Sequence, residues 1–316
     1  MARSSLLPIA FAGAVLAAPA VASSAWALDD LNWLAPDADP AAALTRAPAE
    51  CLAVPSDPER AWLVSLGRVA FGSPALLGGL AARSGMSCDT CHRNGHGNPA
   101  FFIAGVSGAP GTADVTSAIF SQTRGDDIVN PVPIPDLTDA GGKSSFGTMR
   151  PVGDLRGFVH AVMLDEFQGK EPPPAVAEGV VAYVAALKRS ACPAAPSVPI
   201  RFRHAADEVS GTYAVLLAAL DRHDPNAADF VLRSLNLALG RLAQRFPGTP
   251  EAADMLPALG RDLGALRPLL RDGPDDARRA LAAWRIRLDG TLQALSGREA
   301  GSLFDRRAVE RFLAGR

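Results

Sequence analysis

The stretch Ser87-Cys88-Asp89-Thr90-Cys91-His92 decides the interpretation of this chain, because it places two thiols and an imidazole side by side. The spacing Cys-x-x-Cys-His lets two thiols add across the two vinyl groups of a haem while the adjacent histidine reaches the iron. A zinc site needs a second pair of ligands at suitable spacing, and a thioredoxin-like motif follows a strand; neither pattern is present. The sequence therefore predicts one covalent haem c, bound through Cys88 and Cys91, with His92 as an axial ligand.

The first residues of the chain have the order of a secretory signal peptide. A short charged start leads into an apolar run from Leu6 to Val21, and Ala25-Trp26-Ala27 resembles a cleavage site. A transmembrane anchor is the alternative, but the run contains Pro8 and Pro19 and is short for a span. We expect residues 1–27 to be removed on export to the periplasm. No later stretch is apolar for long enough to cross a bilayer, so we expect no transmembrane segment in the mature chain.

The remaining two cysteines, Cys51 and Cys192, lie on either side of the haem motif. An even pair of cysteines in an oxidising compartment predicts a disulfide, with two buried free thiols as the alternative. Closing a loop of about 140 residues would stabilise the fold by several kcal/mol in the chain-entropy model. The sequence thus predicts a clasp that joins both ends of the haem region.

The chain is predicted to be all-α, with a cytochrome c-type haem domain followed by an antiparallel helical bundle. A length of 316 residues, 48% of them apolar, suffices for two domains. Residues 28–56 lack periodicity and are interpreted as a loosely held leader. The haem domain is assigned to residues 57–195, where loops rich in Gly and Pro follow the motif. The bundle is assigned to residues 196–316.

Four apolar stripes at helical spacing predict the helices of the bundle. Their leading members are Val209, Leu232, Leu259 and Leu281. Asp224-Pro225 and Thr249-Pro250 are typical of helix starts, and Pro257 and Pro268 should kink or split the third helix.

Several short segments match a known family: Leu66-Gly67-Arg68-Val69-Ala70-Phe71, the motif itself, Asp154-Leu155-Arg156-Gly157 and Phe167-Gln168-Gly169. Residues 58–190 resemble the haem domains of the bacterial di-haem cytochrome c peroxidase family, which includes the MauG-like oxidases. The family's enzymes carry two Cys-x-x-Cys-His motifs and usually a histidine where this chain has Gln168. The resemblance implies a haem domain and covalent attachment.

The sixth position on the iron has several candidates. Met163 leads, because it precedes Tyr183 by about the interval between ligand and closing helix in small cytochromes c. His160 lies one helical turn earlier, so both side chains could face one pocket. Met149, an open site, or Tyr183 by analogy with MauG-like haems are the alternatives, and core packing is the competing interpretation for each buried side chain.

Arg93, Arg150 and Arg156 are candidates to pair with haem propionates, or are simply solvated.

A periplasmic mono-haem cytochrome that exchanges electrons with a redox partner fits the sequence best. A peroxidase-like or MauG-like haem oxidoreductase, acting on peroxide or a partner protein, is the alternative, and a sensor whose haem reports redox state is a third. The chain holds 31 basic and 33 acidic residues, scattered along its length, so we expect no nucleic-acid partner.

Overall fold

The computed structural model describes residues 29–121, 123–147 and 152–315, so the predicted signal peptide lies outside the described residues. The α-helices are α1 (Pro40–Thr45), α2 (Pro58–Phe71), α3 (Gly79–Arg83), α4 (Cys88–Cys91), α5 (Leu155–Ala161), α6 (Pro174–Ala186), α7 (Phe202–Asp221), α8 (Pro225–Gln244), α9 (Pro250–Leu266), α10 (Leu269–Asp272), α11 (Pro274–Ser296) and α12 (Arg306–Ala314). Two short antiparallel pairs accompany them: β1 (Arg46–Pro48) with β4 (Ser197–Pro199), and β2 (Thr112–Ala113) with β3 (Val132–Pro133). The predicted all-α class is confirmed.

Helices α2 and α6 form the frame of the first half, and they approach each other unusually closely. Helix α2 begins where the Asp57 carboxylate accepts a hydrogen bond from the Arg60 N–H (2.9 Å), with Pro58 at its first position. The two helices touch at Gly67 and Gly179, where a Cβ built on Gly67 would lie 1.8 Å from the Gly179 carbonyl oxygen. Only glycine therefore permits this contact between the two backbones.

The second half is the predicted helical bundle. Helices α7, α8, α9 and α11 each pack against the next, and α11 packs back against α7. Trp284 is fully buried at the centre, stacks on Tyr213 and donates its indole N–H to the Leu259 carbonyl oxygen (3.0 Å). Pro268 separates α9 from the short α10, as the sequence predicts.

One apolar core continues from α2 and α6 into the bundle. At the junction, the hydroxyl of Ser234 in α8 donates to that of Ser73 (2.8 Å), and both residues are buried. Arg222 at the end of α7 bonds Glu59 (2.7 Å) and lies over the ring of Trp62. These contacts fix the bundle against the predicted haem region.

The predicted disulfide between Cys51 and Cys192 is confirmed. It lies beside the β1–β4 pair, so the covalent and hydrogen-bonded links close the same long loop. The interpretation of residues 28–56 as a loosely held leader is wrong for the described part. Leu44 in α1 is fully buried against Leu303 and Val309, because α1 packs on α12.

Replacing Gly67 by Ala tests the close contact of α2 with α6. The added methyl group meets the Gly179 backbone, so we expect the free energy of unfolding to fall by about 1–3 kcal/mol or more. Gly290→Ala in α11 is the matched control, since nothing lies within 4 Å of its added Cβ. Urea unfolding of both variants measures the difference, and equal stability of the two would contradict the described contact.

Candidate functional site

Cys88 and Cys91 lie at the two ends of the single turn α4 and face the same side. The turn is held at its start by the Ser87 N–H, which donates to the Thr90 hydroxyl (3.0 Å). After His92 the chain reverses through two residues with left-handed backbone, Asn94 (φ 51°) and Gly95 (φ 85°). Glycine is favoured at position 95 for two reasons. Its positive φ disfavours other residues, and a Cβ there would lie 2.6 Å from the Leu187 side chain.

The His92 imidazole is oriented by a single backbone contact. Its Nδ1 lies 3.0 Å from the carbonyl oxygen of Pro135, and a carbonyl can only accept, so Nδ1 carries the proton. Burial lowers the pKa of His92 to about 4, although the hydrogen bond to Pro135 partly opposes this. Near neutral pH the ring is therefore uncharged, with an unprotonated Nε2. Metal-bound histidines adopt this tautomer when their other nitrogen donates to a backbone carbonyl.

The loop that carries Pro135 is itself fixed to the motif turn. The Leu137 N–H donates to the Gly95 carbonyl oxygen (2.8 Å). His96 bridges the Asp136 carboxylate (2.7 Å) and the Ala49 carbonyl oxygen (3.0 Å). The motif turn thus lies between residues 134–139 on one side and the segment around the disulfide on the other.

Both thiols of the motif are free, and their surroundings keep them protonated. Burial raises the pKa of Cys88 to about 12 and also raises that of Cys91.

Cys88 and Cys91 contact an apolar cluster that we call the second core. Its buried members are Leu77, Ala81, Met86, Phe101, Val106, Ala113 and Phe120. Cys88 also contacts the apolar core that continues from α2 and α6 into the bundle, and that core contains Met163. The motif therefore lies at the boundary between two apolar clusters.

The segment with the candidate sixth ligands continues α5 as one turn of π-helix, Val162–Glu166. Such turns are rare and frequent at functional sites. Met163 lies inward and is fully buried. His160 lies on the surface, where its Nε2 is 2.8 Å from the Glu171 carboxylate and both side chains are well exposed. Met163 is therefore packed in the apolar core and His160 is paired at the surface, while Met149 lies outside the described residues.

Glu166, at the end of the same turn, is a buried acid that the sequence analysis did not single out. Burial raises its pKa to about 7, although the Arg124 guanidinium lowers it from 3.0 Å away. Its charge acts on Cys88 and Cys91, whose thiol pKa values it raises further. A carboxyl group with a pKa near neutrality can both donate and accept a proton.

Ser121 and Thr123 are tied to the turn that carries Glu166. The hydroxyl of Ser121 (2.6 Å) and that of Thr123 (2.9 Å) donate to the Asp165 carbonyl oxygen. Gln168, which stands where the resembled family usually has a histidine, donates its side-chain amide to the Phe120 carbonyl oxygen (2.6 Å). Gln168 therefore joins two loops in this chain.

A cavity of about 1370 Å³ lies between the motif region and the bundle. It is lined by Ser87, Asp89, Thr90 and Arg93, whereas Cys88, Cys91, His92 and Met163 do not line it. Because residues 89 and 90 face away from residues 88 and 91, α4 separates this cavity from the thiols.

The ionic groups of this cavity are mostly paired. Arg245 donates to the Asp30 carboxylate (2.9 Å) and the Leu44 carbonyl oxygen (2.7 Å). Tyr183 donates its hydroxyl to Glu50 (2.8 Å), which also accepts from Arg68 (2.8 Å). Tyr183 is thus a buried structural side chain in the frame.

Of the other candidate propionate partners, Arg156 pairs with Glu178 at the surface (2.9 Å), and Arg150 lies outside the described residues.

In comparisons with known proteins, no family model, curated protein or solved structure matches the chain. In the described ranges, no three or more His, Cys, Asp or Glu side chains are grouped to hold a bare metal ion.

The raised pKa of Glu166 predicts a pH-dependent stability. Between its ordinary value of 4.5 and about 7, the folded state keeps a proton that the unfolded state has lost. The stability contributed by Glu166 is therefore full below pH 4.5 and falls by up to about 3 kcal/mol as pH rises through 7. Glu166→Gln, which cannot titrate, should gain stability relative to the unsubstituted protein over that window.

Urea unfolding at pH 4.5 and pH 8 measures this gain. Asp165→Asn, at an exposed neighbouring position, controls for the loss of one acidic group. A stability difference between Glu166→Gln and the unsubstituted protein that stays constant with pH would show that Glu166 is not a perturbed acid.

Proposed function

We propose that this chain is a periplasmic c-type cytochrome that holds one haem and transfers electrons to or from a redox partner. The observation that carries the proposal is the hydrogen bond from His92 Nδ1 to Pro135, which leaves Nε2 of a neutral imidazole to bind iron. Cys88 and Cys91 would hold the haem as thioethers, and Met163 is the preferred sixth ligand. Bound in this way, haem supplies a one-electron carrier.

The chemistry of the two cysteines supports this assignment. The two thiols lie on one face of a single turn, and in the described ranges no group of three or more His, Cys, Asp or Glu side chains supplies the further ligands that a zinc site needs. The Cys-x-x-Cys-His spacing instead suits attachment to two vinyl groups. The donor set therefore fits haem c better than it fits a dithiol redox centre or a zinc site.

The compartment follows from two separate features. The Cys51–Cys192 disulfide is typical of proteins that fold in an oxidising environment. The pattern of residues 1–27 is that of an export signal. Covalent haem attachment takes place outside the cytoplasm, so both features are consistent with the proposed cofactor.

A peroxidase-like haem oxidoreductase is the second candidate, and Glu166 with Arg124 is the observation that favours it. Peroxide cleavage needs a group that moves a proton and a cation that stabilises developing negative charge. Glu166 has a pKa near 7 and the Arg124 guanidinium lies 3.0 Å away. An open sixth position on the iron would be required as well, which makes Met163 the residue that separates the two functions.

Absorption spectra of the oxidised holoprotein, including the near infrared, separate the two candidates. Electron transfer with Met163 ligation predicts a low-spin spectrum, a methionine-to-iron band and no reaction with added peroxide. The band should vanish in Met163→Ala and persist in Met255→Ala, which changes a methionine on the surface of α9.

A high-spin haem that reacts rapidly with peroxide would contradict electron transfer as the main function. If that reaction also slowed in Glu166→Gln, the peroxidase-like candidate would replace it.

A further inference from the structure

Four of the exposed large apolar side chains lie close together in one stretch of the chain. Ile119, Ile128, Val129 and Val132 form what we call the 119–132 patch, and Ile128 and Val129 are 60% and 74% exposed. Exposed apolar residues scattered singly need no explanation, but a cluster at a candidate redox centre is typical of an interaction site.

The patch is built on a fixed loop. Asp114 is buried, and its carboxylate accepts from the Thr116 hydroxyl (2.7 Å) and from the Asn130 N–H (3.3 Å). Pairing of β2 with β3 then aligns Thr112 with Pro133 and Ala113 with Val132. The apolar side chains are therefore presented by a backbone that is already ordered, which reduces the entropy lost on binding.

The same loop leads directly to the haem motif. Beyond Val132, Ile134 packs against the second core, which also contacts Cys88 and Cys91. The next residue, Pro135, accepts the hydrogen bond of His92. Phe120, next to Ile119, belongs to that core too. The patch is thus on the loops that pack beside Cys88, Cys91 and His92.

Three acidic residues lie in or beside the loops that carry the patch. Asp126 and Asp127 precede Ile128 directly, and Asp165 is joined to residues 121 and 123 by hydrogen bonds to its carbonyl oxygen. All three are exposed, and none forms an ion pair with another described residue. The nearby Arg124 is already paired with the buried Glu166. The edge of the patch is therefore negatively charged.

We propose that the 119–132 patch is the docking surface for a basic redox protein, one that presents an apolar centre ringed by lysine or arginine. This inference rests on the proposed cytochrome function. Apolar contact at the centre supplies affinity, while opposite charge at the rim steers the encounter and sets the orientation. One electron would then pass between the partner's centre and the haem that Cys88, Cys91 and His92 would hold, so that one centre is oxidised as the other is reduced.

Binding tests the proposal without using electron transfer as the readout. The probe is a small basic cytochrome c whose haem edge is ringed by lysines, labelled with ¹⁵N and titrated with the full-length holoprotein at low and high ionic strength. Ile128→Ser with Val129→Ser should weaken binding about tenfold at both ionic strengths. Ile286→Ser, on α11 with the same 74% exposure as Val129, should leave binding unchanged.

The charge at the rim is tested separately. Asp126→Asn with Asp127→Asn should weaken binding at low ionic strength and flatten its salt dependence. Asparagine keeps the oxygen with which Asp126 accepts the Ile128 N–H (3.0 Å), so the loop is preserved. Asp254→Asn with Asp275→Asn, at exposed positions of the bundle, is the control.

The outcomes of these experiments separate the proposed docking surface from the proposed cytochrome function. No binding of the basic probe, unchanged binding by both patch variants, or equal binding of an acidic plastocyanin would overturn the docking surface. Reduction of the holoprotein by ascorbate tests the cytochrome function by itself. A protein that ascorbate reduces but the probe does not bind would retain the function and lose the docking surface.

Discussion

The hydrogen bond between His92 Nδ1 and the Pro135 carbonyl oxygen is the interaction on which the proposed haem site depends. It sets the tautomer of the imidazole and the direction of Nε2 together. The position of the Pro135 carbonyl oxygen is restricted, because prolines at 131, 133 and 135 limit the backbone conformations of the loop that carries it. The Leu137 N–H, bonded to the Gly95 carbonyl oxygen, fixes that loop to the motif turn. The His92 imidazole is thus oriented by backbone geometry, which side-chain substitutions change little.

The rest of the fold serves to hold this pair of segments together. The glycine contact between α2 and α6 places the end of α6 near the motif, where Leu187 leaves no room for a side chain at Gly95. The Cys51–Cys192 disulfide ties the chain before the motif to the chain after α6. The bundle then packs on α2 through the shared core and the Ser73–Ser234 hydrogen bond. A rigid frame of this kind suits a centre whose ligands must keep their positions while an electron enters and leaves.

Local patterns predicted much of this architecture. The all-α class, the disulfide, the start of α2 at Asp57-Pro58 and the apolar stripes of the bundle follow from helical periodicity, capping and cysteine pairing. The burial of Glu166 could have been predicted from the sequence, because Glu166 continues the apolar stripe of Leu155, Val159 and Met163. No sequence pattern predicted the places of Arg124 and Pro135 in the site, because their positions in irregular loops depend on long-range contacts. The order of residues 29–56 was missed because α1 is stabilised by α12, which lies far away in the sequence.

The most direct test of the account is the mass of the peptide that carries the motif, after export and c-type haem maturation in a bacterial periplasm. Trypsin releases residues 84–93, because Arg83 and Arg93 flank the motif. The account predicts that this peptide gains the mass of one haem and that neither thiol reacts with iodoacetamide. A peptide of unmodified mass, with both cysteines alkylated, would contradict covalent haem attachment and with it the proposed function.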